Sequence, residues 1–519
     1  MLNRYFRLIL SGLVGFSISG CNFAPITKRP HINTSRSYPN DAGGKPNDKL
    51  ASENILELGW EDFFTDPRLK MLIQNALEYN RDLAGQFEAI LQARGQYMAQ
   101  RGMLLPQIGI TEQAQFMDPS DAAGYSFAPG SGRSNPFFEY YNEGIGFASY
   151  EVDFWGRVAN LSKAQKELAL QNSENLRSLW LSILSQVANT YINWLEDRDL
   201  LILACETYLS QKHTLDLIQM TFNMGQADGL TVADARTQVE QSATQIAQAS
   251  RLMANDEHML TELVGGKMPE FLPPPRPLGE QTILRDLPAG LPSQLLNQRP
   301  DIRSVEHKLR QTNAEIGSAR AAFFPKFTLS ASEGNNALQF NHLFSKFAET
   351  WSLNPQMTIP VLTWGVNLGN LRTAESQAKQ AASDYQKTAL AAIHEVSDAL
   401  TARETYLRQE KHTHQLVDAT GRSYALAWMK YQEGIENYQI VLEQQRSFYN
   451  SQLSLIQVEA ARFQNMVTVY RVLGGGWRKN GLLDAPVEKR DATKAEIPAR
   501  QRPTWLRGWW EGDGYGKGF

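Results

Sequence analysis

Residues 299–329 read RPDIRSVEHKLRQTNAEIGSARAAFFPKFTL, and residues 80–110 read NRDLAGQFEAILQARGQYMAQRGMLLPQIGI. The two stretches are one pattern written twice. Asp82 and Asp301, Arg101 and Arg320, Leu105 and Phe324, Pro106 and Pro325, and Ile110 and Leu329 each stand 219 positions apart. Further along, the offset is 209: Trp155-Gly156 meets Trp364-Gly365, Gly225 meets Gly434, and Val264-Gly265-Gly266 meets Leu473-Gly474-Gly475. Landmarks that recur in one order with so little drift mark an internal duplication. The spacing predicts one repeat over 60–266 and a second over 293–477, joined by a connection at 267–292.

Each repeat has the same grammar. An amphipathic helix leads into a short strand, a polar loop and a second strand; a very long helix, a tight turn and a shorter returning helix follow. In the first helix Asp66 can cap and Pro67 suits the first helical position. Leu69, Leu72, Ile73, Ala76 and Leu77 then fall on one face. The strands have period two. Apolar and polar residues alternate from Phe327 to Ser332 and again from Trp351 to Thr358, with Pro355 read as an interruption. Ile108–Thr111 fits as well, although Glu112 falls on the apolar side, and 140–152 is ambiguous in phase. The Gly/Ser-rich stretches at 117–139 and 333–349 are read as loops.

The long helices are expected over 157–222 and 366–431, without a proline in either, each about 100 Å at the α-helical rise. Ala374, Ala378, Ala381, Tyr385, Ala389, Ala392, Val396 and Ala399 step by threes and fours. Alanine favours helix and close approach but offers little apolar area. Such helices therefore need many lateral neighbours.

Strands of about ten residues with one greasy and one polar face suit a transmembrane β-barrel with a wet lumen; a half-buried sheet in a soluble domain fits isolated strands equally. Four strands cannot close a barrel, because the smallest have about eight. An open edge in lipid would leave backbone groups unsatisfied. If these strands meet lipid, several chains share one barrel.

The N-terminus sets the compartment. Arg4 and Arg7 precede an apolar run from Leu8 to Ile18, the layout of a secretory signal over 1–20. It ends Ile18-Ser19-Gly20-Cys21, a bacterial lipobox pattern that makes Cys21 the candidate lipidation (palmitate) site. Asn22, in place of aspartate, favours sorting to the outer membrane. Residues 21–59 are expected to be an extended linker. The second cysteine, Cys205, is read as a packed helix residue.

Composition excludes much else. The net charge of −4 argues against binding nucleic acid through phosphate neutralisation. Two cysteines rule out a disulfide framework or a four-thiolate metal site. The eight histidines are scattered, with no HExxH, and there is no GxSxG. Glu151 and Asp153 could be mistaken for a catalytic acid pair but are read as lumen or corner residues. No enzyme, metal or cofactor is expected. Residues 478–519, with Trp505, Trp509 and Trp510 among glycines and arginines, are expected to be a loosely ordered tail that could also touch lipid headgroups or peptidoglycan.

These motifs resemble the TolC-type outer membrane factors, in particular the lipid-anchored, NodT-like branch serving RND efflux systems. The matching stretches are Trp60-Glu61-Asp62-Phe63 with Asp66-Pro67, Asn80-Arg81-Asp82-Leu83, Leu105-Pro106 and Asp153-Phe154-Trp155-Gly156-Arg157. Leu291–Leu296, Gln298-Arg299-Pro300-Asp301-Ile302 continuing to Ala319–Pro325, Ile359-Pro360-Val361, Glu395-Val396 and Leu473-Gly474-Gly475-Gly476-Trp477 complete the series. The resemblance implies an α+β fold. A homotrimer would close a twelve-stranded outer-membrane β-barrel, four strands per chain, continued by a periplasmic α-helical barrel. It implies a passive exit duct working with a periplasmic adaptor (membrane fusion) protein and an inner-membrane RND transporter; the exit duct of a type I protein-secretion system is the alternative. A pore-less periplasmic scaffold is a further reading.

The family's periplasmic gate carries over onto the helix turns. It places a constriction aromatic at Tyr431, a ring position often held by leucine at Gln439, and one usually held by aspartate at Glu443. Asp228 and Asp234 would add acid at the first turn, though an acid at a helix start is favourable without any gate. Gly225 and Gly434 would shape the turns and meet the adaptor.

Overall fold

The computed structural model describes residues 22–32, 59–117, 138–280 and 299–475. Cys21 and the signal, most of the 117–139 loop, the second half of the 267–292 connection and the tail from Gly476 lie outside the described residues.

In chain order the elements are α1 (Trp60–Phe63), α2 (Pro67–Tyr79), α3 (Arg81–Gly102), β1 (Gly109–Met117), β2 (Phe138–Val152), α4 (Arg157–Asn223), α5 (Gly229–Leu263), α6 (Pro300–Ala321), β3 (Lys326–Ala337), β4 (Glu349–Thr358), α7 (Val366–Gln432) and α8 (Tyr438–Val472). The two long helices, α4 and α7, have 67 residues each, and the returning helices, α5 and α8, have 35 each. These helices are therefore duplicated exactly in length, whereas the strands are not: β1 has 9 residues against 12 in β3, and β2 has 15 against 10 in β4. Among the described residues no helix is long and apolar enough to cross a membrane.

The chain divides into two compact units, and neither is a repeat. Both repeats contribute to each. The first unit lies within Met1–Pro30, Ala89–Asn172 and Ser304–Tyr385, the second within His31–Glu88, Ser173–Arg303 and Gln386–Phe519.

The first unit holds the sheet, antiparallel throughout in the order β1-β2-β3-β4. Residues directly opposite share a face, as do residues two apart. One face is polar: Thr111, Gln113, Asn142, Thr328, Ser330, Ser332, Ser352 and Asn354 lie on it, and the Ser332 and Ser352 hydroxyls are 2.8 Å apart. The other carries Ile110, Ile145, Phe147, Tyr150, Phe327, Leu329, Leu353 and Met357, with Trp351 74 % exposed. The phase ambiguity in β2 comes from an irregularity between Phe147 and Tyr150, where the register shifts.

Glu112 does sit on the apolar face, and the register explains it. Glu112 pairs with Glu143, Glu143 with Asn335, and Asn335 with Glu349. The Asn335 amide donates to Glu143 Oε1 at 3.0 Å. These four residues form one polar row across the apolar face; Glu333, opposite Ile145 and Trp351, lies on that face just inside the row, and Phe116 and Tyr141 lie beyond it. From Phe327 to the row at Asn335 that face runs about 26 Å along the strand at about 3.3 Å per residue. With a tilt of about 40° that is about 20 Å of height, close to the roughly 25 Å of outer-membrane barrels.

Two expectations are corrected here. Pro355 does not interrupt β4, which runs through it paired with Leu329. β4 is an edge strand within the chain, where a missing N–H is tolerated. The 333–349 loop is also shorter than expected, because β3 continues to Ala337 despite its Gly334 and two asparagines. Pairing on both sides, with β2 and β4, holds that segment extended.

The N-terminal strap, 22–32, runs antiparallel along α6. The Phe23 ring stacks on Phe324 at 4.7 Å, Arg320 Nη1 donates to the Phe23 carbonyl at 3.4 Å, and Arg29 reaches Glu306 with two hydrogen bonds of 2.9 and 3.1 Å. Gly317 lets the strap lie close: a Cβ there would stand 2.8 Å from Ala24 and 2.7 Å from the Asn160 amide nitrogen.

The second unit is helical. Asp66 caps α2 by accepting from the Arg68 amide at 2.8 Å, and its other oxygen accepts from the buried Tyr191 hydroxyl at 2.8 Å. Leu69, Leu72, Ile73 and Ala76 are buried as the periodicity predicts. The first helix of the repeat is in fact two: Asn80 ends α2 and its Oδ1 accepts from the amides of Asp82 and Leu83, starting α3. The connection after α5 also docks here. Arg68 Nη1 donates to the Pro273 carbonyl at 3.1 Å, and the Leu278 amide donates to Asp199 at 3.2 Å. The alanine stripe on α7 is divided between the units, Ala374 to Tyr385 in the first and Ala389 to Ala399 in the second, and all eight of its positions are buried.

Candidate functional site

The two helix turns are built alike. After α4 the Gly225 amide donates to the Phe222 carbonyl and the Gln226 amide to Thr221, both at 2.9 Å. After α7 the Gly434 amide donates to Tyr431 and the Ile435 amide to Lys430, again at 2.9 Å. This is the Schellman ending, which needs a left-handed residue; Gly225 has φ 74° and Gly434 φ 71°. Each returning helix then opens on a capping side chain. Asp228 Oδ1 accepts from the Thr231 amide at 2.8 Å, and Asn437 Oδ1 from the Ile440 amide at 3.2 Å.

Four helices share one core beside these turns. Ile218 of α4, Ala235 of α5, Ala427 of α7 and Tyr438, Val441 and Leu442 of α8 are buried together. Tyr431 packs half-buried against this cluster, 5.5 Å from the Tyr438 ring and 6.0 Å from Trp428. Burial pushes its hydroxyl, and more strongly that of Tyr438, above the usual tyrosine range. Gln439 and Glu443 are exposed, one turn apart on the same side of α8. Asp234 is half-buried and its charge reaches Tyr438. Asp228 is exposed, and the hydrogen bonds from the Thr231 hydroxyl and amide hold its carboxyl below the usual range. The structure thus brings Tyr431, Asp234 and the α8 pair to one end of the helices and gives Asp228 a capping role there.

A second convergence joins motifs far apart in sequence. Arg299 is buried; its guanidinium meets Asp301 at 2.6 Å, Glu395 at 2.8 Å and the Val472 carbonyl at 3.2 Å. The Arg-Pro-Asp and Glu-Val motifs and the residue just before Leu-Gly-Gly, Val472, therefore meet around one side chain.

The acids after β2 are structural. Glu151 accepts twice from Arg157 at 2.7 Å and lies 3.1 Å from Lys326, while Asp153 accepts from the Ala159 amide at 2.7 Å at the start of α4. The scatter of histidines conceals one His-x-His spacing, His412-Thr413-His414. On a helix these two face apart. His414 lies with Glu410 and Glu459, three possible metal donors. There Arg462 pairs with Glu410 at 3.2 Å and His414 with Glu459 at 3.6 Å, so the group reads as a charge network. Sequence reasoning also missed an acidic cluster. Burial, with Asp197 and Asp256 nearby, pushes Glu196 up to about 7; burial and Asp197 push Asp256 up to about 6.

Comparison with known proteins agrees with this architecture. Residues 72–266 and 291–475 match the family model described as outer membrane efflux protein. The chain is 34 % identical over 470 residues to the probable efflux pump outer membrane protein TtgC of Pseudomonas putida, covering 91 % of this chain and 96 % of TtgC. It is 35 % identical over 462 residues to the solvent efflux pump outer membrane protein SrpC of Pseudomonas putida, covering 89 % of this chain and 96 % of that one. Among solved structures, the open state of the Neisseria gonorrhoeae MtrE outer membrane channel superposes with a TM-score of 0.79 at 30 % identity, covering 88 % of this chain and 99 % of MtrE.

Proposed function

The chain belongs to the outer membrane efflux protein family, and we propose that three copies form the exit duct of a tripartite RND-type pump. It is an outer-membrane component of an efflux system, with the fold of the outer-membrane channels. The observation that carries the proposal is the sheet. Four strands with one polar and one exposed apolar face, and with β1 and β4 left as edges, are a third of a barrel rather than a closed one. Three copies supply twelve strands, a wet lumen and a lipid-facing surface.

In this reading a periplasmic adaptor and an inner-membrane RND transporter do the energetic work, and the adaptor engages the Gly225 and Gly434 turns. Three copies of Glu443 make an acidic ring that favours cations, with Gln439 a turn away and Tyr431, Asp228 and Asp234 at the same end. Lipidation at Cys21 tethers the chain to outer-membrane lipid. Each copy contributes two repeats, over 60–266 and 293–477, joined by the 267–292 connection, a division that rests on the internal duplication. A relative named for solvent efflux favours small apolar compounds among the substrates.

The test is a host lacking its own outer-membrane factor. Co-expressed with a matching adaptor and RND transporter, the chain should run as a heat-modifiable trimer in outer-membrane fractions and restore dye efflux. A monomer without conductance in planar bilayers overturns the reading. Rescue of protein secretion without dye efflux assigns the chain to type I secretion instead.

A further inference from the structure

Trp155 and Trp364 are equivalent landmarks of the two repeats, and the fold treats them oppositely. The Trp155 indole Nε1 donates to the Pro325 carbonyl at 2.8 Å, and its ring lies 4.9 Å from Phe324. Trp155 follows β2 and Pro325 precedes β3, so this contact clasps two neighbouring strands at their base. Trp364 follows β4 and is 87 % exposed. Ile359, Val361 and Leu362 beside it are exposed as well. Trp364 has a φ of 48°, the one positive value on a non-glycine among the described residues. A side chain keeps that backbone where surrounding structure holds it.

The counterparts of the clasp stand at the other edge of the sheet. Pro106, which corresponds to Pro325, precedes β1, and Leu105, which corresponds to Phe324, is 69 % exposed. Each repeat therefore carries a tryptophan donor after its second strand and a proline carbonyl before its first. Two such clasps can be made per chain. One is made internally, and the other has its donor beside β4 and its acceptor beside β1, on opposite edges. In strand direction a β4–β1 junction between copies repeats the internal β2–β3 junction, since neighbours alternate throughout.

We propose that Trp364 clasps the neighbouring copy, donating to the Pro106 carbonyl of that second copy with its ring on Leu105, and so fixes the register of a β4–β1 seam. Donor on one edge and acceptor on the other make a head-to-tail contact, which closes into a ring when the rotation allows. The occupant is another copy of this chain, which carries the matching half of the clasp, Leu105 and Pro106, beside its β1 edge. The inference rests on the trimer reading above.

The test is Leu105→Cys with Trp364→Cys in one full-length chain, over Cys205→Ser, expressed in the outer membrane. Oxidation should yield covalent trimers on a non-reducing denaturing gel, reversed by thiol, with each single variant remaining monomeric there. Trp364→Ala should lower the SDS-resistant trimer several-fold, and Trp364→Phe, which keeps a ring without the N–H, should lower it less. Trimers in native mass spectrometry with no inter-chain cross-link, by oxidation or a short bis-maleimide, overturn the seam and leave the trimer standing. A monomer of the unmodified chain overturns both. If the double variant fails to assemble, a photo-crosslinking benzoylphenylalanine at 364 decides: attachment to residues 104–108 of a neighbour supports the clasp, and attachment elsewhere overturns it.

Discussion

The Asn80 side-chain amide donates to the Leu263 carbonyl at 2.9 Å, and it does so at the last residue of α5 while starting α3 with its other atom. The second repeat makes the same tie with different chemistry. Arg299, 219 positions after Asn80, donates to Val472, 209 positions after Leu263. In both repeats the residue that opens a helix satisfies the final turn of the returning one, where carbonyls have no partner within the helix.

Removing the two ties should therefore rank. Asn80→Ala is expected to cost about 1–2 kcal/mol, the loss of one buried hydrogen bond and a cap. Arg299→Ala should cost more, about 2–3 kcal/mol; this is below the full cost of breaking a sealed ion pair because the Glu395 side chain is 40 % exposed. Thermal unfolding of the detergent-solubilised chain measures both, and equal effects would deny Arg299 its ionic role.

Stability should fall as the pH rises from acid to neutral. Glu196 and Asp256 have folded-state values raised to about 7 and about 6, chiefly by burial and then by neighbouring acids. The folded chain thus binds more protons than the unfolded one between about pH 4 and 7, and stability declines as pH rises through that window. Tm at pH 5.5 should exceed Tm at pH 8, and Glu196→Gln should narrow the difference. An unchanged gap in the variant would place the dependence elsewhere.

At the helix turns, charge and packing should separate. Glu443 is exposed, so Glu443→Gln should leave stability within about 0.5 kcal/mol while lowering cation selectivity in planar bilayers. Tyr431→Ala instead removes a ring from the four-helix cluster and should cost about 1–3 kcal/mol, less than a fully buried aromatic. Unaltered conductance and selectivity in Glu443→Gln would reject the acidic ring.

Release of the N-terminal strap can be read by proteolysis. Phe23 stacks on Phe324 and Arg29 pairs with Glu306. Phe23→Ala should speed tryptic cleavage after Lys28 several-fold while the helices stay protected; Arg29 is followed by Pro30 and is not a tryptic site. Equal cleavage rates would mean that the polar contacts alone seat the strap.

The sequence by itself determined the duplication, the long helices to within one residue of Arg157–Asn223 and Val366–Gln432, the alanine stripe, the Asp66 cap and the two-faced strands. Those features are periodic or local, set by the helical and pleated repeats and by capping chemistry within a few residues. Only the tertiary structure decided the rest. Pro355 lies within a strand, Glu112 belongs to a polar row, Arg299 gathers residues of three distant stretches, and Tyr431 packs into a core while Glu443 faces outward. Each of these depends on strand register or on which helix faces which, and those are fixed by partners up to two hundred residues away. The contrast between Trp155 and Trp364 shows the division most directly: identical in the sequence pattern, the two differ because β2 has a neighbour on both sides and β4 stands at an edge.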